Sequence, residues 1–440
     1  MAGGGSEVDA SEGAQESTSP EGITPGYANY VLGVLFLVYV VNFIDRQVMS
    51  VFIGPIKEEF QATDTQMGAL VGFAFALFYT IAGIPIARWA DRGNRRSIIA
   101  LGLTIWSAMT VASGLARSFT TLALARVFVG VGEAAGSPPS HSLISDYFPQ
   151  HKRATALGIY AWGVYVGSAI AYLFGAALLE YFDWRTAFIV LGTPGLFVAL
   201  LVRFTVREPP RGVSETSGSD AATTTLAETI KHLLGCSSWV YLMTAASFMS
   251  ITGYGVLMWG FQFYGRVHGM SHIPLGVWMA VIVGLGGSLG TFVGGTLCDR
   301  LGASNPGWYL RLPAIATLTS VPLALIFLLV DSSTLSLGVF FPFYVLANMY
   351  VPAMNTINQN LAKLRMRATA AAIMLFILNI VGAGFGPLLV GIVTDYFTSE
   401  YGDMAIRYSL AAISLTSIPA ALCFYLASRS LASDLERARS

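Results

Sequence analysis

Apolar stretches of roughly 20 residues recur along most of the chain, separated by short polar runs. A helix rises 1.5 Å per residue, so each stretch can cross a hydrocarbon core of about 30 Å. The pattern predicts twelve helical spans, at 28–51, 66–88, 98–117, 120–145, 153–180, 185–206, 237–264, 273–297, 309–330, 335–361, 367–393 and 405–428. One long polar stretch, 207–235, interrupts them. It starts as EPPRGVSETSGSDAATTT, a flexible composition, and ends as TLAETIKHLL, which suits a short amphipathic helix. The expected layout is an all-α membrane protein of two six-helix bundles, 27–206 and 236–428, joined by a cytoplasmic linker. A Gly-, Ser- and acid-rich segment, 1–26, reads as a disordered tail, and 429–440 as a second, cytoplasmic tail. The first segment lacks the basic and apolar regions of a signal peptide.

Composition agrees: 54% of residues are hydrophobic and 11% charged, where a soluble domain has about 25% charged. The net charge is zero, yet its sign is patterned. Of 25 Lys and Arg, 18 fall on one side of the predicted topology. Lys57, Arg117, Arg185, Arg266 and Arg407 fall on the other, and Arg46 and Arg126 lie inside spans. The positive-inside rule then places both termini in the cytoplasm of a bacterial-type inner membrane. Cys236, Cys298 and Cys423 are far apart, with no metal spacing and no disulfide framework, and read as packing residues.

The two halves repeat. Asp91-Arg92 after the second span returns 208 positions later as Asp299-Arg300 after the eighth. RATALGIYAWGVYVGSAIAYLFGAALLEYF at 153–182 returns 214 positions later as RATAAAIMLFILNIVGAGFGPLLVGIVTDYF. Both copies begin on the same side of the membrane. The repeat is therefore parallel, about an axis along the membrane normal.

The chemistry lies in four charges at membrane depth. Asp45 and Arg46 sit in the first span, and Arg126 and Glu133 in the fourth. Each costs roughly 2.5–3.5 kcal/mol on insertion scales unless paired or wet. Arg126 and Glu133, seven apart, share a helix face. Asp45 and Arg46, adjacent, point about 100° apart. Burial and nearby cations push a carboxyl pKa in opposite directions, so a carboxyl that changes surroundings can take up and release a proton. Asp45 and Glu133 are the candidate proton carriers. Arg46 and Arg126 are the candidate anion binders, since guanidinium grips two oxygens of a phosphate or carboxylate. A staple between two spans is the plainer account, and the two roles are compatible.

The loop pattern after spans two and eight resembles the Asp-Arg-x-Gly-x-Arg signature of the major facilitator superfamily, over about residues 28–428. The first copy has Ala87 and Asn94 where Gly is usual, and Asn94 is expected to tolerate a positive φ. The second copy has Gly295 and Gly302 but lacks the trailing basic pair. Within that superfamily, FIDRQVMSVFIGPIKEEFQATDTQMG and RVFVGVGEAAGSPPSHSLISDYFP are similar to the spinster family. The resemblance implies the major-facilitator fold, with spans one and four lining a central cavity. It also implies a lysolipid- or sphingosine-phosphate-like cargo, proton coupling, and a cytoplasmic gate at Asp91, Arg92, Arg95, Asp299 and Arg300. Arg88, Arg96 and Arg153 serve either that gate or plain topology.

Span ten carries Asn348, Asn355, Asn358 and Gln359. Helix-to-helix hydrogen bonding is the commoner use of such residues, and a polar cavity wall is the alternative, under which Asn355 and Asn358 bind substrate. Small residues at Gly163 and Gly167, and at Gly286, Gly290 and Gly294, suit close helix approach. GLGGSLG at 284–290 has the wrong spacing for a dinucleotide loop, and no Walker-type loop occurs. The five histidines are scattered near loops and span ends, without a nucleophile-base set or a metal cluster. A lipid-modifying enzyme is therefore disfavoured, and no cofactor or metal is expected. The expected partners are a lipid or lysolipid substrate, protons and the bilayer, with no nucleic acid, and the chain is expected to be a monomer. A proton-coupled carrier of small organic anions such as sugar acids is the close alternative.

Overall fold

The computed structural model describes residues 24–210 and 225–439. Eleven helical stretches among them are long and apolar enough to cross a membrane. The last, Arg367–Ala438, has 72 residues, far more than the roughly 20 that one crossing needs. It folds back at Gly402, whose φ of 54° suits a residue without Cβ. Twelve crossings result. The first half contains α1 (Pro25–Phe60), α2 (Asp64–Arg92), α3 (Arg95–Gly114), α4 (Phe119–Tyr147), α5 (Gln150–Tyr181) and α6 (Trp184–Thr205). The second contains α7 (Ser237–His268), α8 (His272–Gly302), α9 (Trp308–Leu329), α10 (Ser333–Leu361), α11 (367–401) and α12 (405–439).

α1 starts at Pro25 behind the Thr24 cap, so the end of the expected tail is helical. Residues 1–23 of that tail and 211–224 of the expected linker lie outside the described residues. The rest of the linker forms a helix, Leu226–Leu234, opened by a Thr225–Glu228 capping box. Buried Leu233 and the His232 ring, 3.0 Å from the Leu361 carbonyl, seat it on the second half. Residues 429–439, expected as a tail, continue α12. Asp434 is buried there and accepts from the Ser238 amide (2.8 Å) and hydroxyl (2.7 Å), capping the start of α7. Asn94 differs from expectation. Its φ is −77°, and its side chain accepts from the Ser97 amide, so it caps α3 rather than supplying a left-handed turn.

The repeat persists in the irregularities. α4 is interrupted at residues 134–136 and α10 at Met349, and Pro138 and Pro352 follow the two breaks 214 positions apart. Proline has no amide hydrogen to continue the ladder. Wide π turns interrupt α2 (Ala69–Ala74), α8 (Val281–Gly286) and α11 (Asn379–Phe385). These three helices lie on the seam between the halves, where α2 meets α11 and α5 meets α8. The seam is tight enough to require glycine: a Cβ on Gly391 would stand 2.2 Å from the Asp64 carbonyl oxygen. Within the halves, Gly167 admits the α1 backbone and Gly290 that of α10.

The apolar core shows how the halves meet. Below, the linker face is the one bearing residues 207–210 and 225–235, and the far face is the opposite one. One cluster bridges both halves toward the far face, joining Phe52, Met67 and Tyr172 to Trp259, Met279 and Phe327. At the linker end each half has its own cluster, around Leu103 and Tyr160 in the first and around Trp239 and Phe424 in the second.

Candidate functional site

Arg126 and Glu133 lie on one face of α4, and α1 brings Asp45 and Arg46 against them. The structure crosses the partners. Arg46 donates from Nε (3.1 Å) and Nη2 (2.7 Å) to Oε2 of Glu133. Arg126 Nη2 reaches the main-chain oxygen of Asp45 at 3.2 Å. The Asp45 carboxylate lies in the electrostatic field of both Arg126 and Glu133. Glu133 is the last residue before the α4 break. All four groups are inside the bundle, with Asp45, Arg126 and Glu133 at most 2% exposed.

Arg46 differs from the other three. Its side chain keeps 12% of its surface accessible. Three aromatic faces surround the guanidinium, with ring centroids at 5.1 Å (Phe43), 4.7 Å (Phe75) and 5.1 Å (Tyr79). Such faces attract a cation and exclude bulk water. Tyr254, from the second half, also lies within electrostatic reach of it. Arg46 thus occupies the ground between the halves, with Asp45 and Arg126 set behind it.

The other predicted residues take different places. Asn358 is fully buried, and its Oδ1 accepts from Trp239 Nε1 at 2.8 Å. Here it joins α10 to α7, the helix-to-helix use of such residues, because a buried indole N–H needs an acceptor. Asn355 is exposed and donates to Val351 of its own helix at 2.9 Å. Arg95 is 1% exposed and bound within the first half, to Asp146 (2.5 Å), Glu208 (2.7 Å) and Ser142 (2.8 Å). In this structure its guanidinium is satisfied within the first half and makes no contact with the second among the described residues. Asp299 accepts from the Tyr309 hydroxyl at 2.7 Å. Arg92 and Arg300 are exposed, as is Asp91 beside Arg92.

A clasp on the far face went unrecognised in the sequence. Asp64 begins α2 and is buried. It pairs with Arg266 of α7 through both oxygens (3.0 and 2.9 Å) and with Lys57 at 2.8 Å. Asp395 of α11 accepts from the Asp64 amide (2.9 Å) and the Thr65 amide (2.8 Å), capping α2 from the opposite half. Gln262 adds bonds to the Ser50 and Val51 carbonyls at 3.1 and 3.3 Å. The Thr63–Gln66 capping box was the available signal, since it marks Asp64 as the first residue of a helix.

The sequence profile described as Major Facilitator Superfamily matches residues 35–387. The chain belongs to the major facilitator superfamily. It is 31% identical to an MFS-type efflux pump of Mycolicibacterium smegmatis, over 94% of this chain and 96% of that protein. The crystal structure of a bacterial homolog to the human lysosomal transporter Spinster, in an inward-facing and unoccupied conformation, is 33% identical. That comparison covers 93% of this chain and 99% of the other, with a TM-score of 0.86. A probable L-galactonate transporter of Escherichia coli is 34% identical over a shorter stretch, 38% of this chain and 37% of that protein. This multi-pass membrane protein is thus a spinster-like transporter, and its relatives are carriers rather than enzymes.

Proposed function

We propose that the protein is a secondary transporter that moves an amphipathic anionic lipid, of the lysophospholipid or sphingosine-phosphate kind, by alternating access coupled to protons. The observation that carries this reading is the Arg46–Glu133 pair inside its ring of aromatic faces. An anionic head can take Arg46 from Glu133, because both are anions competing for one guanidinium. Protonating Glu133 frees the same guanidinium, so proton and substrate act on one bond. Asp45 and Arg126 form the second exchangeable set. The second half supplies apolar and aromatic surface for a lipid tail.

The far-face clasp and the bridging core on that side support a state whose chamber opens toward the linker face. The positive-inside pattern makes that face cytoplasmic. In the opposite state, Asp91-Arg92 and Asp299-Arg300 at the ends of α2 and α8 come together as the gate. A second reading, a proton-coupled carrier of small organic anions such as sugar acids, is favoured by the stretch of similarity to a probable L-galactonate transporter.

The test is flux in proteoliposomes under an imposed pH gradient, comparing a lysophospholipid with a hexuronate. The lipid reading expects a lysophospholipid signal that Arg46→Ala abolishes. Hexuronate flux without lysophospholipid flux selects the second reading. The proton role expects Asp45→Asn and Glu133→Gln to flatten the pH dependence. Normal folding with wild-type pH dependence in both variants removes that role.

A further inference from the structure

The linker end of the second half has a feature that the transport reading leaves unused. The turns joining α8 to α9 and α10 to α11, with the last turns of α12, enclose a cavity of about 310 Å³. Asn360, Lys363 and Arg367 line one side, and Leu435 and Ala438 the other. No carboxylate is among its lining residues. Lys363 and Arg367 are exposed, and neither has an ion-pair partner among the described residues.

The repeat explains why the space is there. In the first half the matching corner is filled by the Arg95 guanidinium, clamped by Asp146 and Glu208. The residue 208 positions after Arg95 is Ala303, and the residue 214 positions after Asp146 is Asn360. By the helix starts Arg95 of α3 instead matches Trp308 of α9, and on either count the second half lacks the filling cation and has an amide for its acid. Arg153 has its counterpart in Arg367, and Pro149 in Lys363. One corner is a closed ion-pair network. The other is a cavity with two cations and a neutral amide at its rim.

Cations without carboxylates around a cavity select an anion, and guanidinium with ammonium suits phosphate oxygens. The cavity lies at the level of the helix ends, where lipid headgroups gather. Leu435 and Ala438 supply an apolar wall, which a free phosphate has no use for. We propose that this cavity binds the headgroup phosphate of an anionic membrane lipid, held by Lys363, Arg367 and Asn360.

The experiment is native mass spectrometry of the purified full-length protein, titrated with phosphatidylglycerol or with phosphatidylcholine. The expected result is one retained phosphatidylglycerol, with affinity falling about tenfold or more in Lys363→Gln/Arg367→Gln. Ala438→Phe fills the cavity without changing charge and lowers retention too. Lys231→Gln/Arg429→Gln removes two exposed cations elsewhere and leaves retention unchanged. The proposal is overturned if Lys363→Gln/Arg367→Gln and Ala438→Phe retain phosphatidylglycerol as wild type does. It is equally overturned if the two lipids bind alike, or if inorganic phosphate displaces phosphatidylglycerol and matches its affinity. Should the double variant not fold, Ala438→Phe decides alone.

Discussion

The two halves share a backbone plan down to the broken fourth helix of each, yet they fill it with opposite chemistry. Arg126 and Glu133 of α4 correspond, 214 positions on, to Phe340 and Ala347 of α10. Where the first half sets an arginine among carboxylates, the second sets Phe340, fully buried and stacked on Phe327 with ring centroids 4.6 Å apart. One bundle architecture therefore accepts either content. Folding does not demand the charges, since aromatic packing serves the equivalent position. A buried ion pair is a poor route to stability, because desolvation offsets much of its attraction. The difference between the halves points to work done by the charges beyond holding helices together.

The largest expected effect tests that contrast directly. Glu133→Ala leaves Arg46 without its carboxylate and costs about 3–5 kcal/mol of stability, read as a fall in the unfolding midpoint in detergent. Pairing it with Arg46→Met should restore most of the stability while leaving transport dead. Recovery of transport in that double variant would break the comparison. Phe340→Ala should cost about as much, roughly 3–5 kcal/mol, yet the protein that remains folded should keep its pH dependence.

The far-face clasp comes next. Arg266→Gln and Asp395→Asn each remove charge-assisted bonds across the seam. The balance between conformations should shift about tenfold toward opening on that face. Spin labels at Arg117→Cys and Glu400→Cys, in a background without the three native cysteines, read it as a longer distance population. Asn358→Ala, which strands the Trp239 indole N–H, should cost about 1–3 kcal/mol with transport rates kept by the folded fraction. The smallest effect is at the α3 cap, where Asn94→Ala should lower stability by about 1 kcal/mol and leave transport untouched.

Much of the fold was legible because membrane helices announce themselves by length and hydropathy, and because the repeat fixed the pairing of halves. The four central charges were legible because hydrocarbon makes an ionised side chain conspicuous. Their pairing was not. Adjacent Asp45 and Arg46 suggested no preference, and only the three-dimensional approach of α1 to α4 decided that Arg46 takes Glu133. The partners of Asn358 and Arg95 were illegible for a related reason. Sequence shows that a polar group must be satisfied, but not whether its partner is a neighbouring helix or a ligand. The clasp was missed because Asp64, Lys57, Arg266 and Asp395 are spread over more than 300 positions, and each lies near a span end, where charge is unremarkable.

Asp395 takes the main-chain amides of Asp64 and Thr65 on the far face. Amides survive every substitution except proline, so α2 offers these two donors whatever its side chains, while the Asp64 carboxylate is still needed for Arg266 and Lys57. This cap, unlike the ion pair beside it, therefore has its tolerance on α2 and its vulnerability on α11. Replacing Asp395 removes this cap and leaves the Asp64–Arg266 pair and the Gln262 bonds to hold the seam.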